Sequence, residues 1–249
     1  MAVKRYTARI ACAISAACAL SLVAVAGITC MMEHRGARPE GSPHAARADE
    51  DGFPSIDWDR WMDVNPDIVG WITIPGTNVD APIVRAPEDD PRFYLEHDVY
   101  GDPNFTGCPY LDADCCDRGL LRCPNSVVFG HNMGWNQDLF GDLENYADAA
   151  YAAAHRDALI QTPDARFHLQ VRAVETVSGD EPAKQTRFSS ADDFSAWWHR
   201  RFSHAAVRLG GESLDGKRLL TLCTCSYGSL PDERTIVYCT VADEEGSAS

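Results

Sequence analysis

The stretch Leu219-Leu220-Thr221-Leu222-Cys223-Thr224-Cys225 is an apolar run that carries two alternating cysteines and leads directly into Ser226-Tyr227-Gly228. A short apolar run of this kind, followed by turn residues, predicts a buried β-strand. In such a strand Cys223 and Cys225 point to the same face with Cα atoms about 7 Å apart, at the limit of what a disulfide can span. We therefore expect at least one of them to be a free thiol.

Cys225 ends this strand, and strand ends are where a rigid scaffold presents reactive groups. A nucleophilic thiol needs a base or a positively charged neighbour, because the thiolate is the reactive form. His131 follows another predicted strand, 126–130, in the same kind of place, and Arg234 opens the next strand, nine residues after Cys225. The order His, Cys, Arg is not that of papain-like proteases, and the caspase signature is absent. The alternative is that both cysteines of the strand are small buried hydrophobes.

Further runs rich in β-branched and aromatic residues are separated by turn residues, and with the first strand they predict a sandwich or a closed barrel. Three helical patterns accompany them: a short helix capped by Ser55, a stretch marked by Leu139, and a long helix over 190–206 that opens with the capping box Ser190-x-x-Asp193. The eight strand candidates are 68–74, 79–85, 108–112, 126–130, 158–161, 167–177, 218–224 and 234–241.

The N-terminus predicts export. Residues 10–32 carry no charge and follow Lys4, Arg5 and Arg9. A helix of this length crosses a hydrocarbon core of about 30 Å, and the basic flank keeps residues 1–9 in the cytoplasm. A signal peptide cleaved after Ala24-Val25-Ala26 is the competing interpretation. In both cases the rest of the chain lies outside the cell.

The exported part is predicted to be a flexible stalk over 33–54, a catalytic domain over 55–243 and a disordered tail over 244–249. The stalk holds almost no large apolar residue and is rich in Gly, Pro, Ala and charge. Residues 33–249 contain 19 basic and 37 acidic residues. This balance excludes a nucleic-acid binder, because neutralising phosphates requires a basic surface.

Four cysteines lie in or beside one loop: Cys108, Cys115, Cys116 and Cys123. Because exported thiols tend to oxidise, we expect at least one disulfide among them, and none that involves Cys225. Their spacing contains no C-x-x-C knuckle, so it does not favour a zinc site. The acidic run 88–90 is interpreted as a solvated turn, and no metal or other cofactor is expected.

At this point the pattern resembles the sortases, and class B sortases in particular. Residues 221–225 are similar to the TLxTC motif of that family. Four other segments agree in order: Asn65-Pro66-Asp67-Ile68-Val69-Gly70-Trp71-Ile72, Val79-Asp80-Ala81-Pro82-Ile83-Val84, Tyr94-Leu95-x-His97-Asp98 and Val127-Val128-Phe129-Gly130-His131-Asn132-Met133. The resemblance spans residues 56–241. Cys223 at the variable position of the motif departs from the usual pattern, as does the cysteine-bearing loop.

The resemblance implies a mainly β fold, an eight-stranded sortase-type barrel with an N-terminal helix and a long helix between strands 6 and 7, here preceded by a single transmembrane helix. It implies a catalytic triad of His131, Cys225 and Arg234. Thr224, Ser226 and Tyr227 flank the cysteine and Asn132 follows the histidine, and these four are predicted to contact substrate.

The implied activity is that of a membrane-anchored cysteine transpeptidase of Gram-positive bacteria. Its partners would be exported surface proteins that bear a C-terminal sorting motif, and an amine of peptidoglycan or of a pilin subunit as acceptor. Cys225 would form a thioester with the motif, His131 would transfer protons, and Arg234 would stabilise the oxyanion.

Three alternatives stay open. The first is a cysteine peptidase of the same fold, in which water resolves the thioester. The second is a thiol-disulfide exchange protein that uses Cys223 and Cys225, which the missing C-x-x-C motif disfavours. The third is a surface binding module whose cysteines are all structural. In that case a thiol-specific reagent would find no reactive thiol.

Overall fold

The computed structural model describes residues 48–117, 119–134, 139–179, 184–214, 216–226, 228 and 232–246. Within these ranges the chain is mainly β. The strands are β1 (Ile68–Thr73), β2 (Asp80–Arg85), β3 (Tyr110–Leu111), β4 (Asn125–Phe129), β5 (Asp157–Gln161), β6 (Ala165–Val177), β7 (Val207–Arg208), β8 (Leu219–Cys225) and β9 (Arg234–Gly246). The α-helices are α1 (Trp58–Val64), α2 (Ala113–Cys116), α3 (Ala149–Ala154) and α4 (Ala191–His204), and two 3₁₀ segments cover Phe93–Leu95 and Gly141–Ala147.

Eight of the strands close into a barrel, which confirms the predicted architecture. Hydrogen bonding follows the order β5-β1-β2-β3-β4-β8-β9-β6, and the pairing of β6 with β5 completes the ring. The two-residue strand β7 pairs with β6 outside this ring, at Ala173↔Arg208 and Val174↔Val207. The sequence pattern does not predict β7, because two residues are too few to show an alternation.

Alternation along β8 separates an inner from an outer face of the barrel. The inward residues Leu220 and Leu222 join the main core with Val128 of β4 and Val237 of β9, all at 0% exposure. Parallel pairing of β4 with β8 and antiparallel pairing of β8 with β9 align these residues in rows. The strand predicted from the opening stretch is therefore a core strand that is buried from Leu219 to Thr224 and exposed only at Cys225.

Helix α4 covers the outer face of the same strands. Its residues Trp197, Trp198 and Phe202 are buried against a second apolar cluster that contains Cys223 and Tyr238. The rings of Trp198 and Tyr238 meet edge-on with centroids 5.6 Å apart, a favourable geometry for aromatic pairs. The aromatic stripe of the helix is thus core packing.

The predicted N-terminal cap is confirmed for α4 and is wrong for α1. The Ser190 side chain accepts from the Asp193 backbone N–H at 3.1 Å, which confirms the predicted cap of α4. Helix α1 is capped by Asp57 rather than by Ser55, as was predicted, because the Asp57 carboxylate accepts from the Arg60 N–H at 3.2 Å. Both types of side chain suit a cap, so only the path of the chain decides between them.

Both ends of the folded domain extend beyond the predicted bounds of 55–243. Phe53, which was assigned to the stalk, is fully buried and meets the His168 ring edge-on at 4.7 Å. Just before it, Asp49 forms an ion pair with Arg166 at 2.5 Å. At the other end, β9 continues to Gly246 in register with β6, so residues 244–246 belong to a strand rather than to the predicted tail.

The expected disulfide in the cysteine-bearing loop is wrong. Cys108, Cys115 and Cys123 are buried, and none of the three is in a disulfide. Their Sγ atoms donate to different backbone carbonyls, those of Pro82 at 3.8 Å, Asn125 at 3.7 Å and Cys115 at 3.9 Å respectively. Cys115 and Cys123 lie in the main core and Cys108 in another buried cluster, where the thiols pack as small apolar groups.

The predicted transmembrane span, residues 10–32, lies outside the described residues. Among the residues that are described, no helix combines the length and the apolar character needed to cross a bilayer.

We expect Ser190→Ala to lower the free energy of unfolding by about 1 kcal/mol, since the substitution removes the side-chain cap of α4. Chemical denaturation followed by circular dichroism measures the change. Ser195→Ala is the matched control, because Ser195 is an exposed residue within the same helix and alanine is the better helix former there. Equal stability of the Ser190 variant and the wild type would contradict the assignment.

Candidate active site

The candidate site lies at one end of the barrel, where strands β4 and β8 end and strand β9 begins. Phe129 of β4 is in register with Cys223 of β8, and the Gly130 N–H donates to the Cys223 carbonyl at 3.2 Å. His131 comes two residues after Phe129 and Cys225 two residues after Cys223. Because the two strands are parallel neighbours, the histidine and the cysteine leave the sheet side by side.

Arg234 completes the group from the other side. It is the register partner of Cys225 in the antiparallel pair of β8 and β9. Directly opposed residues of an antiparallel pair project from the same face with Cβ atoms roughly 5 Å apart. Cys225 and Arg234 are both exposed, and His131 is half-buried. The structure therefore brings together the three residues that the sequence singled out.

Beneath these residues, on the same face of the sheet, lies a row of three buried residues and the half-buried Phe129. Tyr110 of β3 pairs with Phe129, which pairs with Cys223, which pairs with Ile236 of β9. The Tyr110 and Phe129 rings stack with centroids 5.6 Å apart. Burial raises the pKa of Tyr110 to about 12. Tyr110, Cys223 and Ile236 are buried, whereas Cys225, two residues after Cys223 on the same face, is exposed.

Exposure separates Cys225 from the other thiols. Of the six cysteines whose side chains the structure describes, Cys225 alone is exposed. Burial raises the pKa of both Cys223 and Cys239 to about 12, and it raises the pKa of Cys108 as well. Those thiols stay protonated near neutral pH. The redox partner proposed for Cys225 in the exchange alternative is thus a buried thiol that resists ionisation.

A backbone carbonyl orients His131. The Nε2 atom lies 2.9 Å from the carbonyl oxygen of Leu95, at the end of the 3₁₀ turn. Since a carbonyl can only accept a hydrogen bond, Nε2 carries the proton in the neutral ring and Nδ1 keeps its lone pair. The imidazole is held in one tautomer, with Nδ1 as the nitrogen that can accept a proton.

His97, which lies in the same family-like segment as Leu95, supports this turn. Its Nδ1 lies 2.8 Å from the Phe93 carbonyl oxygen, and its ring stacks on the Phe93 ring with centroids 3.8 Å apart. The segment that ends at Leu95 is thereby held from both sides. A sequence pattern cannot indicate the Leu95 contact, because its acceptor is a backbone atom that any residue would supply.

The residues predicted to contact substrate have partners within the protein. Thr224 is 2% exposed, and its hydroxyl donates to the Gly130 carbonyl at 2.9 Å. The Asn132 side-chain amide donates to Glu144 at 2.6 Å. Ser226 is buried and its hydroxyl donates to Glu233 at 3.0 Å. These bonds hold the segments that carry the triad. Tyr227 lies outside the described residues, and substrate contact by all four stays a prediction.

The closed β-barrel, which carries an exposed thiol, an imidazole and a guanidinium on adjacent strand ends, is similar to solved structures of sortase B. Clostridium perfringens sortase B has this fold, with a TM-score of 0.68 and 26% identity over 75% of this chain and all of that one. A complex of Staphylococcus aureus sortase B with its substrate gives a TM-score of 0.66 at 20% identity, over 76% of this chain and 85% of that one.

Sequence comparison points to the same group. Sortase B of Listeria monocytogenes is 28% identical over 163 residues, and that of Staphylococcus aureus is 23% identical over 162. Each match covers 65% of this chain and 64% of the relative, so the chain spans just under two thirds of the length of its curated relatives. No protein-family model matches. Together the comparisons confirm the resemblance to class B sortases, a family of cysteine transpeptidases.

We expect iodoacetamide to label Cys225 in the folded protein at least about 10²-fold faster than Cys223 or Cys239, because alkylation requires an accessible thiolate. Mass spectrometry of proteolytic fragments after timed exposure measures the two rates. Cys225→Ala is the control that identifies the labelled position. Comparable labelling of Cys223 would show that the cover over the outer face is open, contrary to the structure.

Proposed function

We propose that this chain is a membrane-anchored cysteine transpeptidase. It cleaves a sorting motif in exported proteins through a thioester on Cys225 and transfers the acyl group to an amine. The observation that carries the proposal is the register of β8, which sets the one exposed thiol of the described cysteines between His131 and Arg234. Relatives named sortase B over the same segment support it.

In the first half-reaction Nδ1 of His131 takes the thiol proton, and the Cys225 thiolate attacks a backbone carbonyl carbon of the motif. The carbonyl oxygen becomes an oxyanion, which the Arg234 guanidinium stabilises by hydrogen bonding and charge. The imidazolium then donates its proton to the leaving amine as the carbon–nitrogen bond breaks. The products are a thioester and a released peptide fragment.

The second half-reaction reverses these roles. An incoming amine enters where the leaving amine departed, and neutral His131 removes its proton during attack on the thioester carbonyl. The new amide bond forms, the carbon–sulfur bond breaks, and the thiol is restored. A complex of a sortase B with triglycine supports an acceptor that ends in a primary amine. The amine of a peptidoglycan cross-bridge has this chemistry, and so does a lysine of a pilin subunit.

Localisation follows from the N-terminal sequence. Residues 10–32 would anchor the chain, with residues 1–9 in the cytoplasm and the catalytic domain outside the cell. A segment rich in Gly, Pro and Ala precedes the barrel, and it would hold the site close to the membrane where exported proteins emerge. An anchored enzyme would therefore meet its protein substrate and a lipid-linked wall precursor at the same surface.

The proposal predicts a trapped thioester. When residues 48–249 are incubated with a library of sorting-motif peptides, intact-mass spectrometry should show an adduct on Cys225 that lacks the C-terminal part of one peptide. Addition of triglycine should replace the adduct by a peptide–triglycine product. Cys225→Ala should form neither. Release of free acid only, at the same rate with and without triglycine, would identify a cysteine peptidase of the same fold instead.

Arg234→Lys separates charge from geometry. Lysine keeps the positive charge but loses the planar fork of donors, so we expect transpeptidation to fall by about 10²-fold, the scale seen when one oxyanion donor is removed. His131→Ala should be nearly as damaging as Cys225→Ala, because proton transfer is lost. Circular dichroism checks that each variant is folded. Wild-type turnover in folded Arg234→Lys would remove this residue from the oxyanion role.

A further inference from the structure

A buried carboxylate lies between the nucleophile and the guanidinium along the chain. Glu233 directly precedes Arg234 and is 7% exposed. Its Oε1 atom accepts from the Ser226 hydroxyl at 3.0 Å and from the Gly228 N–H at 3.2 Å. The Ser226 N–H also donates to the backbone carbonyl of Glu233 at 2.8 Å. One side chain thus fastens the two ends of the connection between β8 and β9.

Gly228 shows how closely the carboxylate fits. A Cβ atom at this position would overlap Glu233 Oε1 and would lie 2.7 Å from Oε2 and 2.8 Å from Cδ. Contacts below 3 Å of this kind do not occur for real Cβ atoms, so any side chain at residue 228 would displace the carboxylate. The absence of a side chain here is a packing requirement of the carboxylate.

Asp232, the residue before Glu233, packs closely against Gly179. Asp232 adopts a left-handed backbone conformation, with φ +46. Its carbonyl oxygen lies 2.7 Å from the position that a Cβ on Gly179 would occupy, just beyond the end of β6. Glu233 therefore follows a turn whose backbone passes close to Gly179.

We propose that Glu233 is a positioning residue for the transpeptidation assigned above, on which this inference rests. Ser226, which is hydrogen-bonded to Glu233, directly follows Cys225, and Arg234, the next residue after Glu233, is the register partner of Cys225. Burying a carboxylate is unfavourable unless its oxygens accept hydrogen bonds. Here the bonds from Ser226 and Gly228 reach the same oxygen and hold the loop beside the thiol. Loss of these hydrogen bonds allows the distance between the Cys225 thiol and the Arg234 guanidinium to increase, and such displacements of reacting groups reduce rates strongly.

Glu233 acts through a hydrogen-bond acceptor at the position of Oε1, and its negative charge is not required. In Glu233→Gln the side-chain carbonyl can take the place of Oε1 and accept from both Ser226 and Gly228. In Glu233→Ala no side-chain acceptor remains. Gly228→Ala leaves the carboxylate chemically intact but displaces it. Glu233→Ala and Gly228→Ala therefore both remove the acceptor from its place, one by deleting it and the other by displacing it. Glu233→Gln is expected to retain the function.

The test measures acyl-enzyme formation with the peptide selected above, by intact mass. We expect Glu233→Ala and Gly228→Ala to lower kcat/KM by about 10²-fold, the cost of a misplaced reacting group. Glu233→Gln should stay within about threefold of wild type, because its neutral hydrogen bonds are only moderately weaker. Glu88→Ala, a change of an exposed glutamate, is the matched control.

Hydrogen exchange supplies a readout that does not depend on the reaction. The Gly228 amide should exchange at least about tenfold faster in Glu233→Ala than in wild type or Glu233→Gln, because loss of a bond partner opens the amide to solvent. Thermal unfolding of each variant checks that the barrel persists.

The outcomes separate the inference from the proposed function. Wild-type acylation by a folded Glu233→Ala protein, or unchanged exchange at Gly228, would overturn the positioning role and leave the function standing. Equal loss in the glutamine and alanine variants would overturn it too, because charge would then be the cause. If the wild type forms no acyl-enzyme, the proposed function fails, and hydrogen exchange still decides whether Glu233 holds the loop.

Discussion

The register of β8 between two neighbours is the constraint on which the site depends. Parallel pairing with β4 brings the end of that strand, and with it His131, beside Cys225. Antiparallel pairing with β9 places Arg234 opposite the same cysteine. A slip of either register by one residue would turn one of the three side chains to the other face of the sheet. Barrel closure prevents such a slip, because the inward residues of β8 are buried in the core.

The two faces of β8 have different tasks. Leu220 and Leu222 fill the barrel, whereas Cys223 lies under the cover formed by helix α4. Because the cover stops short of the strand end, Cys225 is exposed although Cys223, two residues earlier on the same face, is buried. The environment therefore differentiates two chemically identical side chains. One becomes an inert filler with a raised pKa, and the other becomes the candidate nucleophile.

Support for the reactive groups comes largely from atoms that carry no sequence signature. The Leu95 carbonyl selects the tautomer of His131, and the Gly130 carbonyl binds the hydroxyl of Thr224. The Glu233 carboxylate fastens the loop that follows Cys225. Leu95, Gly130, His131 and Thr224 lie in segments that carry the family resemblance, but no motif indicates the contacts between them. They become visible only when segments up to 94 residues apart along the chain are brought together.

By itself the sequence indicated most strand positions and a sandwich or a closed barrel, because alternation and turn residues are local properties. The resemblance to a known family, carried by its motifs, then narrowed this to an eight-stranded barrel and to three candidate catalytic residues. The sequence pattern misplaced the cap of α1 and the start of the folded domain, where several residues were equally suitable. It also suggested a disulfide in a loop where Cys108, Cys115 and Cys123 form none. Only the tertiary structure decided which thiols are buried and which carbonyls orient His131, since burial and backbone contacts depend on residues distant in the chain.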